Sequence, residues 1–177
     1  MLERKTPANK ELDPNVLPTT IDPSQLDGSL SKEKDNTDTN CWTSPSGLGF
    51  MIRGKNYLKD NSKVMGGDPL LKLLAVDWFT VDRSVNQIAL HPKCLVQSEA
   101  GKKLPFILVI NLQIDVDIGS SSVARSVIGL VLGYVTSLVV DLAILIEAKE
   151  EEELPEYILG TVRLNRVRLD SAVHLDV

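Results

Sequence analysis

Three arginines near the C-terminus, Arg163, Arg166 and Arg168, are the residues whose type and spacing best suit the binding of an anion. A guanidinium presents its N–H donors in a planar fork that matches a phosphate or a carboxylate. The three side chains therefore predict a binding site for a lipid headgroup or another anion. The alternative is cross-strand pairing with acids such as Asp115 and Asp117. The basic run is short for a polybasic membrane segment, which favours pairing.

Catalytic chemistry has little support in the sequence. The chain contains no nucleophile elbow, no P-loop, no dinucleotide-binding glycine motif and no zinc-protease helix motif. Asp115 and Asp117 can be read as an acid–base pair, but an exposed strand end explains them more simply. His91 and Cys94 form an H-x-x-C pair that lacks the fuller ligand set of a structural zinc site. We expect no enzyme activity, no metal and no cofactor.

The elements that must position these residues are predicted to be strands. From Phe106 to Ile118 every even position is apolar, which is typical of a strand with one buried face. This strand would be unusually long, since strands rarely exceed about 10 residues. Residues 157–165 alternate in the same way, and the phase of the alternation changes afterwards. A bulge or turn near Asn165 and Arg166 would reconcile the two phases.

The apolar stretch at 120–148 predicts one long C-terminal helix packed against the antiparallel sheet, and so an α+β fold. Small or polar residues at steps of four give this helix one packing face. The residues of that face are Gly129, Gly133, Ser137 and Asp141.

Two other interpretations of this stretch stay open. Residues 126–146 contain a single charge and are long enough to form a membrane-spanning helix. The many β-branched residues would instead suit two strands. A half-buried strand before the stretch and an acidic run at 147–153 after it favour a buried helix.

Composition limits the classes of function. The net charge of −5 argues against a general nucleic-acid binder. Two cysteines are too few for a disulfide scaffold, and the first residues lack the apolar region of a secretory signal. We therefore expect the chain to start on the cytosolic side, with reduced thiols. Residues 1–39 are polar without sustained periodicity, which predicts a disordered tail.

Residues 40–173 carry several long motifs. They include N-C-W-x-S-P-x-G-x-G-F-M-I-R-G-K-x-Y-L-K-D, V-M-G-G-D-P-L-L, V-D-W-F, A-L-H-P-K-C-L-V-Q and L-P-E-Y-I-L-G-T-V-R-L-N-R. With these motifs the chain resembles the Enhanced Disease Resistance 2 C-terminal domain family of plants. In that family the domain commonly follows a START lipid-binding domain, often with a phosphoinositide-binding PH domain, and shorter members carry it alone.

The resemblance implies a non-enzymatic regulatory module related to lipids or membranes, in plant defence and cell-death control. It also implies a cytoplasmic location, or a peripheral one on an endomembrane or the plasma membrane. It offers no catalytic residues. Its partners would be a lipid or phosphoinositide membrane rather than nucleic acid. The alternatives are an integral membrane protein anchored by a helix at 126–146, or a truncated form without autonomous activity.

The chain departs from the family pattern in two places. Nothing that resembles START or PH precedes residue 40. Between Gln113 and Ile114 the family has a substantial further segment, and here the two strands are joined directly. We therefore predict that residues 40–177 form an internally shortened version of the domain. Since the missing strands can no longer cover their neighbours, we also predict an exposed sheet edge and self-association.

Overall fold

The computed structural model describes residues 25–104, 106–112 and 137–176. The strands are β1 (Ser31–Lys32), β2 (Cys41–Thr43), β3 (Met51–Arg53), β4 (Lys63–Met65), β5 (Phe79–Thr80), β6 (Val139–Leu145), β7 (Ile158–Asn165) and β8 (Val173–His174). One short α-helix, α1, spans Tyr57–Asp60. Short 3-10 turns lie at Gly47–Gly49, Ile88–Leu90, Leu95–Gln97, Gly101–Lys103, Glu151–Glu153 and Leu169–Ser171.

The largest sheet has four strands in the order β1-β2-β7-β6. β7 runs antiparallel to both β2 and β6, whereas β1 pairs with β2 in parallel. Two smaller sheets each contain two strands. β3 and β4 form an antiparallel hairpin, and β5 pairs with β8 in parallel. The predicted antiparallel sheet is therefore present and joins distant parts of the chain.

One face of the four-stranded sheet carries a small core of Leu30, Trp42, Val162 and Val167. Trp42 is 2% exposed, and its indole N–H donates to the Leu30 carbonyl at 3.1 Å. A buried indole needs such a partner because its N–H would otherwise lose its hydrogen bond to water. This bond fixes the segment before β2 against the sheet.

The ordered region begins earlier than the sequence predicts. Leu26 and Leu30 are both buried, and Ser31–Lys32 forms β1. The prediction of disorder is therefore wrong over residues 26–32, and residues 1–24 lie outside the described residues. Leu26 and Leu30 are isolated apolar residues in a polar stretch, so no sustained helical or strand periodicity marks them as buried. Their burial depends on β2 and β7, which the local sequence does not reveal.

The prediction of a helix at 120–148 is wrong at its C-terminal part, because Val139–Leu145 is a strand. A helix over 126–146 is excluded for the same reason. β6 pairs with β7 along its whole length, so cross-strand packing of β-branched and branched aliphatic side chains prevails over the helical spacing. Residues 113–136 lie outside the described residues. In the described part of the chain, no helix is both long enough and apolar enough to cross a membrane.

The strand predicted from Phe106 to Ile118 is also wrong in its first half. Residues 106–112 are not assigned to a strand, and Phe106 is 79% exposed. Leu108, Ile110 and Leu112 are exposed as well. The alternation predicted a buried face, but no strand of the described residues pairs with this segment. Residues 113–118 lie outside the described residues.

The prediction for the last strand is confirmed. β7 runs from Ile158 to Asn165, and Arg166 follows with a φ of 49°. That left-handed residue turns the chain, so that Val167 reaches the core together with Val162. The change of phase in the sequence therefore marks a turn rather than a continued strand.

Replacing Leu30 with alanine tests whether the segment before β2 belongs to the fold. Leu30 is 2% exposed, and removal of a buried leucine side chain costs about 2–5 kcal/mol in the free energy of unfolding. We expect that loss in urea denaturation. Leu48→Ala is the control, because Leu48 is 59% exposed. Equal stability of the two variants would show that this segment does not stabilise the domain.

Candidate functional site

The predicted anion-binding arginine Arg163 lies in the middle of β7, directly opposite Asp141 of β6. Its Nε and Nη2 atoms donate to the two Asp141 carboxylate oxygens at 2.6 and 2.7 Å. This two-pronged bond holds the pKa of Asp141 below its usual value. Arg163 thus has the cross-strand carboxylate that the alternative interpretation required, although the acid is Asp141 rather than Asp115 or Asp117.

The other two arginines follow the turn after β7. Arg168 donates through Nε and Nη2 to Asp170 at 3.0 and 2.8 Å, and both side chains are exposed. Arg166 is exposed, and within the described residues its side chain forms no salt bridge. Two of the three guanidiniums therefore already have a carboxylate partner, and Arg166 has none among the described residues.

The four residues of the predicted helix face do not lie on a common helix. Ser137 is in an exposed turn and Asp141 is in β6, so the helical spacing between them is not realised. Gly129 and Gly133 lie outside the described residues.

The H-x-x-C pair forms local structure. The His91 Nδ1 atom accepts a hydrogen bond from the Lys93 backbone N–H at 3.1 Å. Burial raises the pKa of the Cys94 thiol, so the thiol stays protonated at neutral pH. Across the described ranges, no cluster of histidine, cysteine and carboxylate side chains is suited to hold a metal ion. Asp115 and Asp117, the other chemical candidates, lie outside the described residues.

A polar cluster that the sequence did not indicate joins β3 to the connection between β6 and β7. The Glu156 carboxylate is buried and accepts the backbone N–H of Arg53 at 2.9 Å and that of Ala148 at 3.1 Å. The Glu156 backbone N–H donates back to the Arg53 carbonyl at 3.1 Å. Glu156 therefore connects two segments that are far apart in the sequence.

The Arg53 side chain completes this cluster. Its Nη1 atom donates to the Ala148 carbonyl at 2.7 Å, and its Nη2 atom donates to Glu147 at 2.6 Å. The guanidinium lies over the Tyr57 ring, 4.7 Å from the ring centre. Stacking of this kind restricts the plane of the guanidinium. Arg53 is thus positioned by hydrogen bonds at its edge and by an aromatic ring at its face.

An open pocket of about 310 Å³ lies beside the cluster. Its lining consists of two cations, two carboxylates and three apolar or aromatic residues. These are Arg53, Lys63, Glu147, Glu156, Met51, Tyr57 and Leu145. The set contains no histidine and no nucleophile with an adjacent base, so it suits the binding of a charged group rather than bond cleavage.

The β3–β4 hairpin presents one unusual face to this pocket. In the register of the hairpin, Arg53 is opposite Lys63 and Met51 is opposite Met65. Residues two apart along a strand share a face, so these four side chains lie on one side of the hairpin. Met51 and Met65 are 56% and 64% exposed. We call these four residues the hairpin face; it combines two cations with two exposed, flexible apolar side chains.

The comparison with known families now bears on this domain. A profile of the family described as Protein ENHANCED DISEASE RESISTANCE 2, C-terminal, matches residues 42–114 and again residues 112–168. Together these two segments cover more than half of the chain. The chain belongs to this family. The two matched segments meet at residues 112–114, which is where the sequence predicted that an internal segment is missing.

One curated relative in this Enhanced Disease Resistance 2 family is "Protein ENHANCED DISEASE RESISTANCE 2-like" from Arabidopsis thaliana, which is 28% identical over 250 residues. The similarity covers 97% of the chain but 34% of the relative, so the chain spans about a third of that protein. Because the chain has only 177 residues, at least 73 of the 250 aligned positions have no counterpart in it. No solved structure matches the chain.

Replacing Glu156 with glutamine tests whether its carboxylate holds the domain together. The amide keeps the shape but turns one acceptor into a donor that faces a backbone N–H. Since a hydrogen bond to a charged group contributes about 1.5–3 kcal/mol, we expect a loss of that order in the free energy of unfolding. Glu152→Gln, at an exposed site of the same acidic segment, is the control. A Glu156 variant as stable as the control would contradict this role.

Proposed function

We propose that this domain is a non-enzymatic regulatory module of plant disease resistance that acts at the cytoplasmic surface of membranes. Family membership supports the regulatory part, because the name of the family and that of the relative both refer to disease resistance. The chemistry of the described pocket supports the non-enzymatic part, since its residues suit binding and offer no nucleophile and base. Peripheral membrane association is supported by the hairpin face.

The observation that carries the proposal is the mixture of charge and apolar surface on the hairpin face. Anionic lipid headgroups attract cations, and an apolar side chain beside the cations can enter the boundary between headgroups and acyl chains. Methionine suits such a surface because its unbranched side chain adapts to irregular surroundings. Leu58, in α1 between the two strands of the hairpin, is exposed as well, at 51%.

Sedimentation with lipid vesicles tests this proposal. The chain is mixed with vesicles of phosphatidylcholine alone or of phosphatidylcholine with phosphatidylserine, and the bound fraction is measured. We expect binding to the anionic vesicles that weakens with salt, because screening reduces attraction between exposed charges. The double variant Met51→Ser with Met65→Ser should weaken binding about tenfold or more, since burial of each methionine contributes about 1.5–3 kcal/mol.

Leu90→Ser is the matched control, because Leu90 is 65% exposed and lies outside the hairpin. Arg166→Gln in the same assay examines the predicted C-terminal site of Arg163, Arg166 and Arg168 separately. If only the arginine variant loses binding, the membrane contact lies after β7 rather than on the hairpin face. The proposal fails if the unmodified chain binds neither kind of vesicle.

A second candidate function, self-association, is favoured by the exposed segment at 106–112. The side chains of Phe106, Leu108 and Ile110 are all strongly exposed. This segment ends where the two segments that match the family profile meet, at residues 112–114. We propose that a second copy of the chain covers the segment here, in place of the part of the domain that the chain lacks. An apolar segment with strand alternation, which pairs with no strand of the described residues, favours such pairing.

Light scattering coupled to size-exclusion chromatography tests self-association. We expect a dimer or larger species whose share grows with protein concentration. Leu108→Lys should shift the chain toward the monomer, because a charged side chain would be buried in the contact. Leu90→Lys is the control at another exposed leucine. A chain that stays monomeric at every concentration and unfolds cooperatively would exclude this function.

A further inference from the structure

The pocket beside the hairpin face has two cations opposite each other. Arg53 and Lys63 are paired across β3 and β4, and both line the pocket. Like charges directly opposite on adjacent strands repel each other unless an anion lies nearby. Arg53 has counter-ions in Glu147 and Glu156, whereas Lys63 takes part in no salt bridge with any described residue. The positive charge of Lys63 is therefore open to an anion from outside the domain.

The two carboxylates of the pocket are held very differently. The Glu156 side chain is 4% exposed and accepts two backbone N–H groups, so its charge is compensated within the fold. The Glu147 side chain is 60% exposed and reaches Arg53 through one hydrogen bond of 2.6 Å. An exposed ion pair contributes little net stability because water and salt screen it. Glu147 can therefore give way to a stronger anion.

We propose that this pocket binds a phosphate ester between Arg53 and Lys63, and that the ester displaces the Glu147 carboxylate. Once Glu147 leaves, the charges of Arg53, Lys63 and Glu156 sum to one positive charge, which favours the binding of an anionic phosphate ester. The freed Arg53 guanidinium can then offer parallel N–H groups to two phosphate oxygens, while Tyr57 keeps its plane fixed. Lys63 supplies the second cation from the opposite strand.

The rest of the pocket indicates which kind of ester fits. A volume of about 310 Å³ is at the lower end of the range for small-molecule pockets, so it suits one headgroup rather than a nucleotide. Met51 and Leu145 offer apolar contact to the organic part of the ester. The exposed Met51 and Met65 place the pocket next to the surface that we propose meets the membrane. The assignment of the ester to a membrane lipid rests on that proposed function, whereas phosphate binding itself does not.

Calorimetric titration with soluble glycerol phosphate tests the pocket without a membrane. The chain offers a matched set of exposed single-charge variants. Lys63→Gln should weaken binding about tenfold, because it removes one of two cations that contact the phosphate. Glu147→Gln should strengthen binding several-fold, because it removes the competing carboxylate. Lys55→Gln should change the affinity by less than about twofold, since Lys55 lies in the same hairpin but outside the pocket and its charge is screened.

The order of the affinities of the three variants for glycerol phosphate tests the proposal. If Lys63→Gln and Lys55→Gln weaken the binding of glycerol phosphate equally, net charge alone attracts the ligand and the proposal is overturned. The proposal is also overturned if Glu147→Gln leaves the affinity unchanged or lowers it. Circular dichroism of each variant confirms that the fold is retained.

Sedimentation with vesicles of phosphatidylcholine and phosphatidic acid separates the two proposals. Vesicle binding that is weakened by Met51→Ser with Met65→Ser, without any binding of glycerol phosphate, overturns the pocket and leaves the membrane function standing. Binding of glycerol phosphate with the expected order, without vesicle binding, supports the pocket and overturns the membrane function.

Discussion

The buried carboxylate of Glu156 is the constraint on which the arrangement of this domain depends. A carboxylate away from water is tolerated only when hydrogen bonds satisfy its oxygens, and here two backbone N–H groups do so. One N–H belongs to β3 and the other to the connection that follows β6. The carboxylate thereby connects the hairpin to the segment between β6 and β7 of the four-stranded sheet. If this contact is lost, Arg53 loses the groups that orient it and the pocket loses its wall.

The same contact explains why a small and partly exposed hairpin can present charged groups in a defined geometry. Surface cations usually sample many rotamers, which weakens the recognition of a planar anion. Arg53 is restrained by the Ala148 carbonyl and by the Tyr57 ring. Lys63, on the opposite strand, takes part in no salt bridge with a described residue. The pocket therefore combines one fixed cation with one adaptable cation, an arrangement that accommodates anions of somewhat different size.

The parts of the fold that follow from local sequence were predictable. The alternation of residues 158–165 and its change of phase at Arg166 record a strand and a turn, and long motifs identify the family. β1 was missed because its burial depends on β2, which lies elsewhere in the chain. Val139–Leu145 was misread because its aliphatic residues satisfy helical and strand spacing equally well, and only pairing with β7 decides between them. The contact between Arg53 and Glu156 has no local signal at all, since it joins residues about a hundred positions apart.

The pairing of β2 with β7 has a topological consequence. It brings Trp42 opposite Leu164, so that almost the whole domain forms one closed loop between these two strands. The two segments that match the family profile meet at residues 112–114, inside that loop. The entropy of closing a loop rises only logarithmically, and a doubling of loop length costs about 0.6 kcal/mol. A domain closed in this way at its two ends can gain or lose an internal segment with almost no change in the free energy of loop closure. Its length can therefore vary between family members while its central strands stay paired.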